Sequence, residues 1–180
     1  MTTPAKNNWF VITGGPASGK TTLLAELHKK GHQIIPEAAR WVVDRGMAKG
    51  LSVTEIRQDE ARFQDVVLRR KLAVEARLDP AKRFFFDRGM HDTLAYLQAY
   101  DYELSRQTLQ ALKQSRYAKV FLLEPLPVFV KDYSRVESDE FPERIYHLLY
   151  EAYASYGMEP VLVPDLGIKK RVQFVLQNLD

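Results

Sequence analysis

The chain has no cysteine. That excludes disulfides and every zinc or iron–sulfur centre built on thiolates, and nothing else in the sequence asks for an oxidising compartment. No apolar run approaches the ~20 residues that a membrane-spanning helix needs. The first residues, MTTPAKNNW, lack the apolar stretch of a signal peptide. Neither sign of charge dominates: 26 basic residues face 23 acidic ones, for a net charge of +3. Basicity this mild does not by itself argue for nucleic acid, and it suits a protein that attracts small anions. There is no internal repeat, no low-complexity tract and no linker. The 180 residues are most simply one domain, residues 1–180, with the cytoplasm as the default location.

What is present is an alternation. Short runs rich in Val, Ile, Leu and Phe occupy residues 9–13, 32–36, 83–86, 119–123 and 160–163. None shows the polar alternation of a half-exposed strand, so they read as strands of a parallel sheet covered on both faces. The segments between them read as helices over residues 20–30, 37–49, 54–78, 93–100, 107–115, 143–156 and 169–179. Asp79-Pro80 ends the long third helix, because proline disfavours helical geometry in the residue before it. The expected fold is α/β: a five-stranded parallel sheet with helices on both faces.

Directly after the first apolar run comes Gly14-Gly15-Pro16-Ala17-Ser18-Gly19-Lys20-Thr21-Thr22. This fits the phosphate-loop pattern Gly-x-x-x-x-Gly-Lys-Thr in full, with a strand entering and an amphipathic helix leaving. Glycine lets the loop curl until successive backbone N–H groups converge on phosphate oxygens. The helix N-terminus adds partial positive charge. Lys20 is placed to reach the β- and γ-phosphates, and the Thr21 hydroxyl to ligate Mg²⁺. The expected cofactors are therefore ATP, with GTP an alternative, and Mg²⁺.

In an open parallel sheet, ligands lie beyond the carboxyl ends of the strands. Glu37 follows the second strand, where a carboxylate can accept a proton from an attacking hydroxyl or help hold Mg²⁺. Arg40, one turn on, can pair with Glu37 or with a substrate phosphate. Asp87 and Arg88 follow the third strand. Asp87 stands where a Mg²⁺-linked aspartate is expected, and Arg88 offers a planar fork suited to phosphate. Asp92 reads as the N-cap of the helix from Thr93, and His91 as a loop residue. The polar segment at about 126–142 reads as a lid, with Arg135 as its cation. The turn Pro164-Asp165-Leu166-Gly167 can wrap a nucleotide base with backbone contacts, or serve as a plain strand-to-helix turn. On the long helix, Gln64 can present donor and acceptor together to a nucleobase or carboxamide. Arg69, Arg70 and Lys71 read as a solvated face.

With these residues placed, the chain resembles the small P-loop kinase-like domains grouped with the ribosylnicotinamide kinase domain of NadR, a group also called AAA domains. The resemblance rests on GGPASGKTTLL, IIPEAAR, FFFDRGMHDTLAYL, VFLLEPLP, EAYASYGMEPVLVP and KKRVQFVL. FFFDRG is also similar to the Asp-Arg motif of thymidylate kinases, and Phe63-Gln64 to the Phe-Gln of deoxynucleoside kinases, whose glutamine reads the base. The resemblance implies the sheet order 2-3-1-4-5. It also implies Glu37 as base or Mg²⁺ partner, Asp87 and Arg88 at the phosphates and acceptor, and Arg135 in the lid. The chain departs from a two-arginine lid, since the next arginine after Arg135 is Arg144.

The Asn-Lys-x-Asp of a GTPase switch and the Leu-Ser-Gly-Gly of an ABC-type ATPase are both absent, and there is no length for the extra helical domain of an AAA+ motor. The expectation is a small-molecule kinase whose partners are a nucleotide and a nucleoside-like acceptor, with an ATPase or nucleotide-dependent binding module as the alternative.

Overall fold

The computed structural model describes residues 7–126 and 141–179. Strands β1 (Trp9–Thr13), β2 (Gln33–Ile35), β3 (Phe84–Asp87), β4 (Lys119–Leu123) and β5 (Val161–Val163) form one parallel sheet in the order β2-β3-β1-β4-β5. This is the order that the resemblance implies. The helices are α1 (Lys20–Lys29), α2 (Ala38–Met47), α3 (Val53–Ile56), α4 (Glu60–Glu75), α5 (Met90–Ala99), α6 (Arg106–Gln114), α7 (Phe141–Ala154) and α8 (Ile168–Gln177). Among the described residues no helix is long and apolar enough to cross a membrane.

Successive side chains of a strand point to opposite faces, and the central strands use both. Trp9, Val11, Phe84, Phe86, Val120 and Leu122 face a core that includes residues of α4, α5, α6 and α7. Phe10, Ile12, Phe85, Phe121 and Leu123 face a second core closed by Leu23, Leu24 and Leu27 of α1 and Val172 and Val175 of α8. That is why β1, β3 and β4 read as continuous apolar runs. The edge strands β2 and β5 are only partly covered, so their apolar runs overstate their burial.

Two expected helices differ. The helix expected over 54–78 is two. Ser52 caps α3, accepting from the Glu55 N–H while the Glu55 carboxylate accepts from the Ser52 N–H. Asp59 caps α4 by accepting from the Arg62 N–H at 2.9 Å. A side-chain oxygen that satisfies an orphan N–H starts a helix at that point, and two such residues divide the segment. The helix expected from Thr93 starts earlier, at Met90. Its first N–H groups are buried and are met by side chains. The Gly89 N–H reaches Asp92 Oδ2 and Tyr153 Oη, and the Met90 N–H reaches Tyr117 Oη. Asp92 is therefore the third residue of the helix, within its first turn, and His91 is a fully buried helical residue packed against Tyr153 and Tyr156.

This junction of β3 and α5 is tight. A Cβ on Gly89 would stand 2.6 Å from Tyr153 Oη, 2.9 Å from Tyr117 and 2.9 Å from Val11. Overpacking of this kind costs about 1–3 kcal/mol. Gly89→Ala is expected to lose that much stability in urea unfolding, with an unchanged m-value.

Candidate functional site

Because all strands run parallel, their carboxyl ends lie along one edge, and the phosphate loop crosses it between β1 and α1. Gly14 has φ 151°, and a Cβ there would meet Ser18 Oγ at 2.7 Å and the Leu123 carbonyl at 3.0 Å. Gly19, the N-cap of α1, is left-handed at φ 86°. The glycines of the motif are thus demanded by close approach and by backbone shape. Lys20 is buried and donates to Gly15 O at 2.6 Å and to Ser18 Oγ at 3.2 Å. Burial, together with the nearby Arg88 charge, pulls its pKa down to about 7.

Next to the loop, the turn after β3 is left-handed at Arg88, with φ 69°. This is a conformation that costs a non-glycine residue roughly 1–3 kcal/mol. It turns the guanidinium across the carboxyl edge. Arg88 Nε donates to Glu37 Oε1 at 2.8 Å, and Nη1 donates to Gly14 O at 3.1 Å and Asp92 Oδ1 at 3.2 Å. Asp92 is 1% exposed. Its Oδ1 also accepts from Thr13 Oγ1 at 2.6 Å, and its Oδ2 from Tyr153 Oη at 2.6 Å and the Gly89 N–H at 3.0 Å. Burial alone would raise its pKa, but Arg88 and Lys71 outweigh that and hold the carboxyl below its usual value.

Lys71 is not on a solvated face. It is buried, and its Nζ donates to Gly89 O at 2.6 Å and Thr93 Oγ1 at 3.1 Å. Of its neighbours, only Arg69 is exposed as expected, and Arg70 is half-buried. Arg69 pairs with Asp65, and Arg70 lies over the Trp41 ring. The reason is helix phase: Lys71 falls on the stripe of α4 that carries Phe63, Gln64, Val67 and Leu68.

These groups line one cavity of about 1300 Å³. The lining includes Pro16, Ala17, Ser18, Gly19, Lys20, Thr21 and Thr22 of the loop. Glu37, Asp87, Arg88 and Asp92 also line it, as do Phe63 and an aromatic bay of Tyr96, Tyr100 and Phe141. Arg40 is an exposed lining residue of α2, and the partner of Glu37 is Arg88. Gln64 is a buried lining residue. Its amide nitrogen donates to Glu60 Oε1 at 2.8 Å, and Glu60 in turn takes both prongs of Arg57 at 3.1 Å each. Arg135 and residues 127–140 of the expected lid lie outside the described residues.

Asp87 carries a distinctive signature. Its Oδ1 is buried and has no hydrogen-bond partner among the described residues. Burial, then repulsion from Glu37, pushes its pKa up to about 6. A buried carboxylate oxygen without a donor fits a hard cation such as Mg²⁺, which takes oxygen ligands and is commonly held by one or two carboxylates plus substrate phosphates. Among the described residues no cluster of three or more acidic, His or Cys side chains could hold a metal ion without such help.

The profile of the AAA domain family matches residues 9–171. The chain belongs to that family. No curated protein matches it in sequence. Among solved structures, this AAA domain is similar to deoxyadenosine kinase from M. mycoides with bound dATP, at 16% identity and TM-score 0.64, covering 95% of this chain and 98% of that one. It is similar to thymidylate kinase from Ehrlichia chaffeensis at 16% identity and TM-score 0.66, covering 97% and 98%. It is similar to NadR in complex with NR at 17% identity and TM-score 0.69, covering 95% of this chain and 49% of that one. It therefore spans about half of NadR's length. At these identities the likeness shows the fold, which is that of P-loop kinases.

Lys20, Glu37, Asp87 and Arg88, singled out in the sequence, line this cavity, and so do Asp92 and Lys71, which read there as an N-cap and a solvated cation. Every residue of Met90-His91-Asp92-Thr93-Leu94-Ala95 is buried, and a carboxylate in so apolar a helix start needs internal donors. Asparagine there would offer one acceptor oxygen where the carboxylate has two, and would leave Arg88 short of a charge. Breaking a buried pair costs about 3–5 kcal/mol. Asp92→Asn is expected to lose stability of that order in denaturant titrations at neutral pH.

Proposed function

We propose that this AAA domain is a small-molecule kinase that moves the γ-phosphoryl group of ATP to a hydroxyl of a nucleoside-like acceptor. The observation that carries the reading is the continuity of the cavity. One cavity is lined by the phosphate loop, by Glu37, Asp87 and Arg88, and by an aromatic bay of Tyr96, Tyr100 and Phe141, a surface suited to a second, ring-bearing ligand. A nucleotide switch or a simple ATPase has no use for that bay. The three solved neighbours are themselves named for kinases or a protein that binds NR, which supports the same class.

In this reading the loop N–H groups and Lys20 hold the β- and γ-phosphates. Thr21 and Asp87 hold Mg²⁺, which when bound neutralises phosphate charge. Glu37, pinned by Arg88 through Oε1, takes up the proton as the acceptor oxygen bonds to the γ-phosphorus and the bond to the ADP oxygen breaks. Arg88 lies beside the carboxylates and stabilises charge on the transferred group. The remaining work is positioning and electrostatics.

The test is turnover with Mg-ATP, alone and with a panel of nucleosides, nucleotides and nicotinamide riboside, reading ADP and phosphorylated product by mass. An acceptor-dependent product that vanishes in Lys20→Ala supports the kinase. ADP formed at the same rate with and without every acceptor sinks it in favour of an ATPase. Glu37→Gln is expected to lower kcat by about 100-fold or more, the usual range for a lost general base, with ADP affinity unchanged. Asp87→Asn is expected to raise the Mg²⁺ concentration needed for half-maximal rate.

Lys20 gives a proton-linked prediction. With a pKa drawn down to about 7, it is largely neutral at pH 8 in the free protein. Bound phosphates favour its charged form, so the complex holds more protons than the free protein, and affinity falls as pH rises above 7. At pH 8, above the phosphates' own ionisation near pKa about 6, calorimetry in two buffers of different ionisation enthalpy is expected to show proton uptake on ADP binding. Lys20→Met is expected to abolish it.

A further inference from the structure

Arg171 is a buried cation that the mechanism above does not use. It lies in the first turn of α8 and is 3% exposed. Its guanidinium reaches carbonyl groups of three separate segments. Nη1 donates to Ser18 O at 2.7 Å, Nε to Pro164 O at 2.9 Å, and Nη2 to Glu124 O at 3.3 Å. Asp165 Oδ1 stands 3.5 Å from Nη2. Burying a guanidinium is costly in lost hydration, and filling space beneath the sheet would be done better by leucine. The hydrogen-bond geometry is the feature to explain.

The bond to Ser18 has a directional consequence. The Ser18 carbonyl and the Gly19 N–H belong to one trans peptide plane, so they point to opposite sides. Ser18 and Gly19 line the main cavity and Arg171 does not, so the arginine holds the loop from behind. With the carbonyl drawn back toward α8, the Gly19 N–H is turned forward into the cavity. A peptide next to glycine rotates with little steric resistance, and Arg171 selects one orientation. The packing is close as well, for a Cβ on Gly19 would stand 3.3 Å from Arg171 Nη1.

The other two bonds tie the same side chain to the carboxyl ends of β4 and β5. The Glu124 N–H bonds Val163 O at 3.1 Å, and the Asp165 N–H bonds the Glu124 carboxylate at 3.2 Å. The turn 164–167 is thereby held in register with the phosphate loop, at the edge of the sheet where the base of a bound nucleotide would lie.

We propose that Arg171 is a positioning residue of the nucleotide site. It fixes the Ser18–Gly19 peptide with its N–H toward the phosphates and locks the 164–167 turn to the loop, so that one side chain sets both the phosphate end and the base end. The proposal rests on the reading of the loop as a nucleotide site.

The experiment measures dissociation constants for Mg-ADP and for inorganic tripolyphosphate in the wild type, Arg171→Ala and Arg171→Lys, well below each protein's melting temperature. The alanine variant is expected to weaken both ligands by about tenfold or more, the scale of one charge-assisted hydrogen bond. In turnover, KM for ATP is expected to rise while KM for the acceptor stays. Millimolar guanidinium, far below denaturing levels, is expected to restore part of the lost affinity in the alanine variant and to change nothing in the wild type. A purely structural role would lower the melting temperature without that rescue. A folded alanine variant whose two constants stay within twofold of wild type overturns the proposal, and so does absence of rescue. If the alanine variant does not fold, the lysine variant decides. Its ammonium cannot serve three carbonyls at once, and wild-type affinity in it overturns the proposal. A wild type that binds neither ligand overturns the nucleotide reading itself, and this proposal with it.

Discussion

The carboxyl edge of the sheet is organised around one buried anion. Asp92 receives hydrogen bonds from Thr13 at the end of β1, from Arg88 and Gly89 after β3, and from Tyr153 of α7. Such a charge is tolerable only because every acceptor position faces a donor. Its consequence is mechanical as well as electrostatic. Through Arg88 it reaches the Gly14 carbonyl at the base of the phosphate loop and the Glu37 carboxylate at the start of α2. Two strands, two helices and the loop therefore take their relative positions from one carboxylate.

Around it the charges alternate. Lys20, Lys71 and Arg88 stand among Glu37, Asp87 and Asp92. Burial first, and then neighbouring charge, shifts the ionisation of Lys20 and Asp87, while at Asp92 the cations Arg88 and Lys71 outweigh burial. The non-glycine residues Ala17 and Arg88 hold left-handed backbone at this same edge. At the cavity, strained backbone at Ala17 and Arg88 coincides with perturbed acidity at Lys20 and Asp87. That coincidence is what a scaffold carrying a reactive site is expected to show.

Much of this was legible in the residues. Parallel strands buried on both faces announced themselves as unbroken apolar runs, and the phosphate loop was readable because its backbone shape demands glycine. Glu37, Asp87 and Arg88 were found by the rule that ligands lie beyond strand ends. What escaped depends on the third dimension. Lys71 looks like its neighbours Arg69 and Arg70 in sequence, and only the rotation of α4 separates a buried ammonium from a solvated one. Asp92 looked like a helix cap because its strongest partners, Thr13 and Tyr153, lie 79 and 61 residues away. The split between α3 and α4 was written in Ser52 and Asp59, but the helical periodicity across it masked the break.

The part of the cavity lined by α2 and α3 is built differently from the rest. Helices α2 and α3 meet α4 through a small apolar cluster of Ala38, Phe63 and Val67 with Val42, Val43 and Ile56, and they join each other where Gly46 leaves space for Ile56. Neither main core includes them, and Trp41, Met47 and Val53 remain exposed on them, as does Leu51 in the connection between. Substitutions in this cluster change the part of the cavity lined by Val43, Met47, Val53 and Phe63 and leave the two main cores in place. That separation gives a physical basis for one fold serving proteins at 16–17% identity whose named ligands differ.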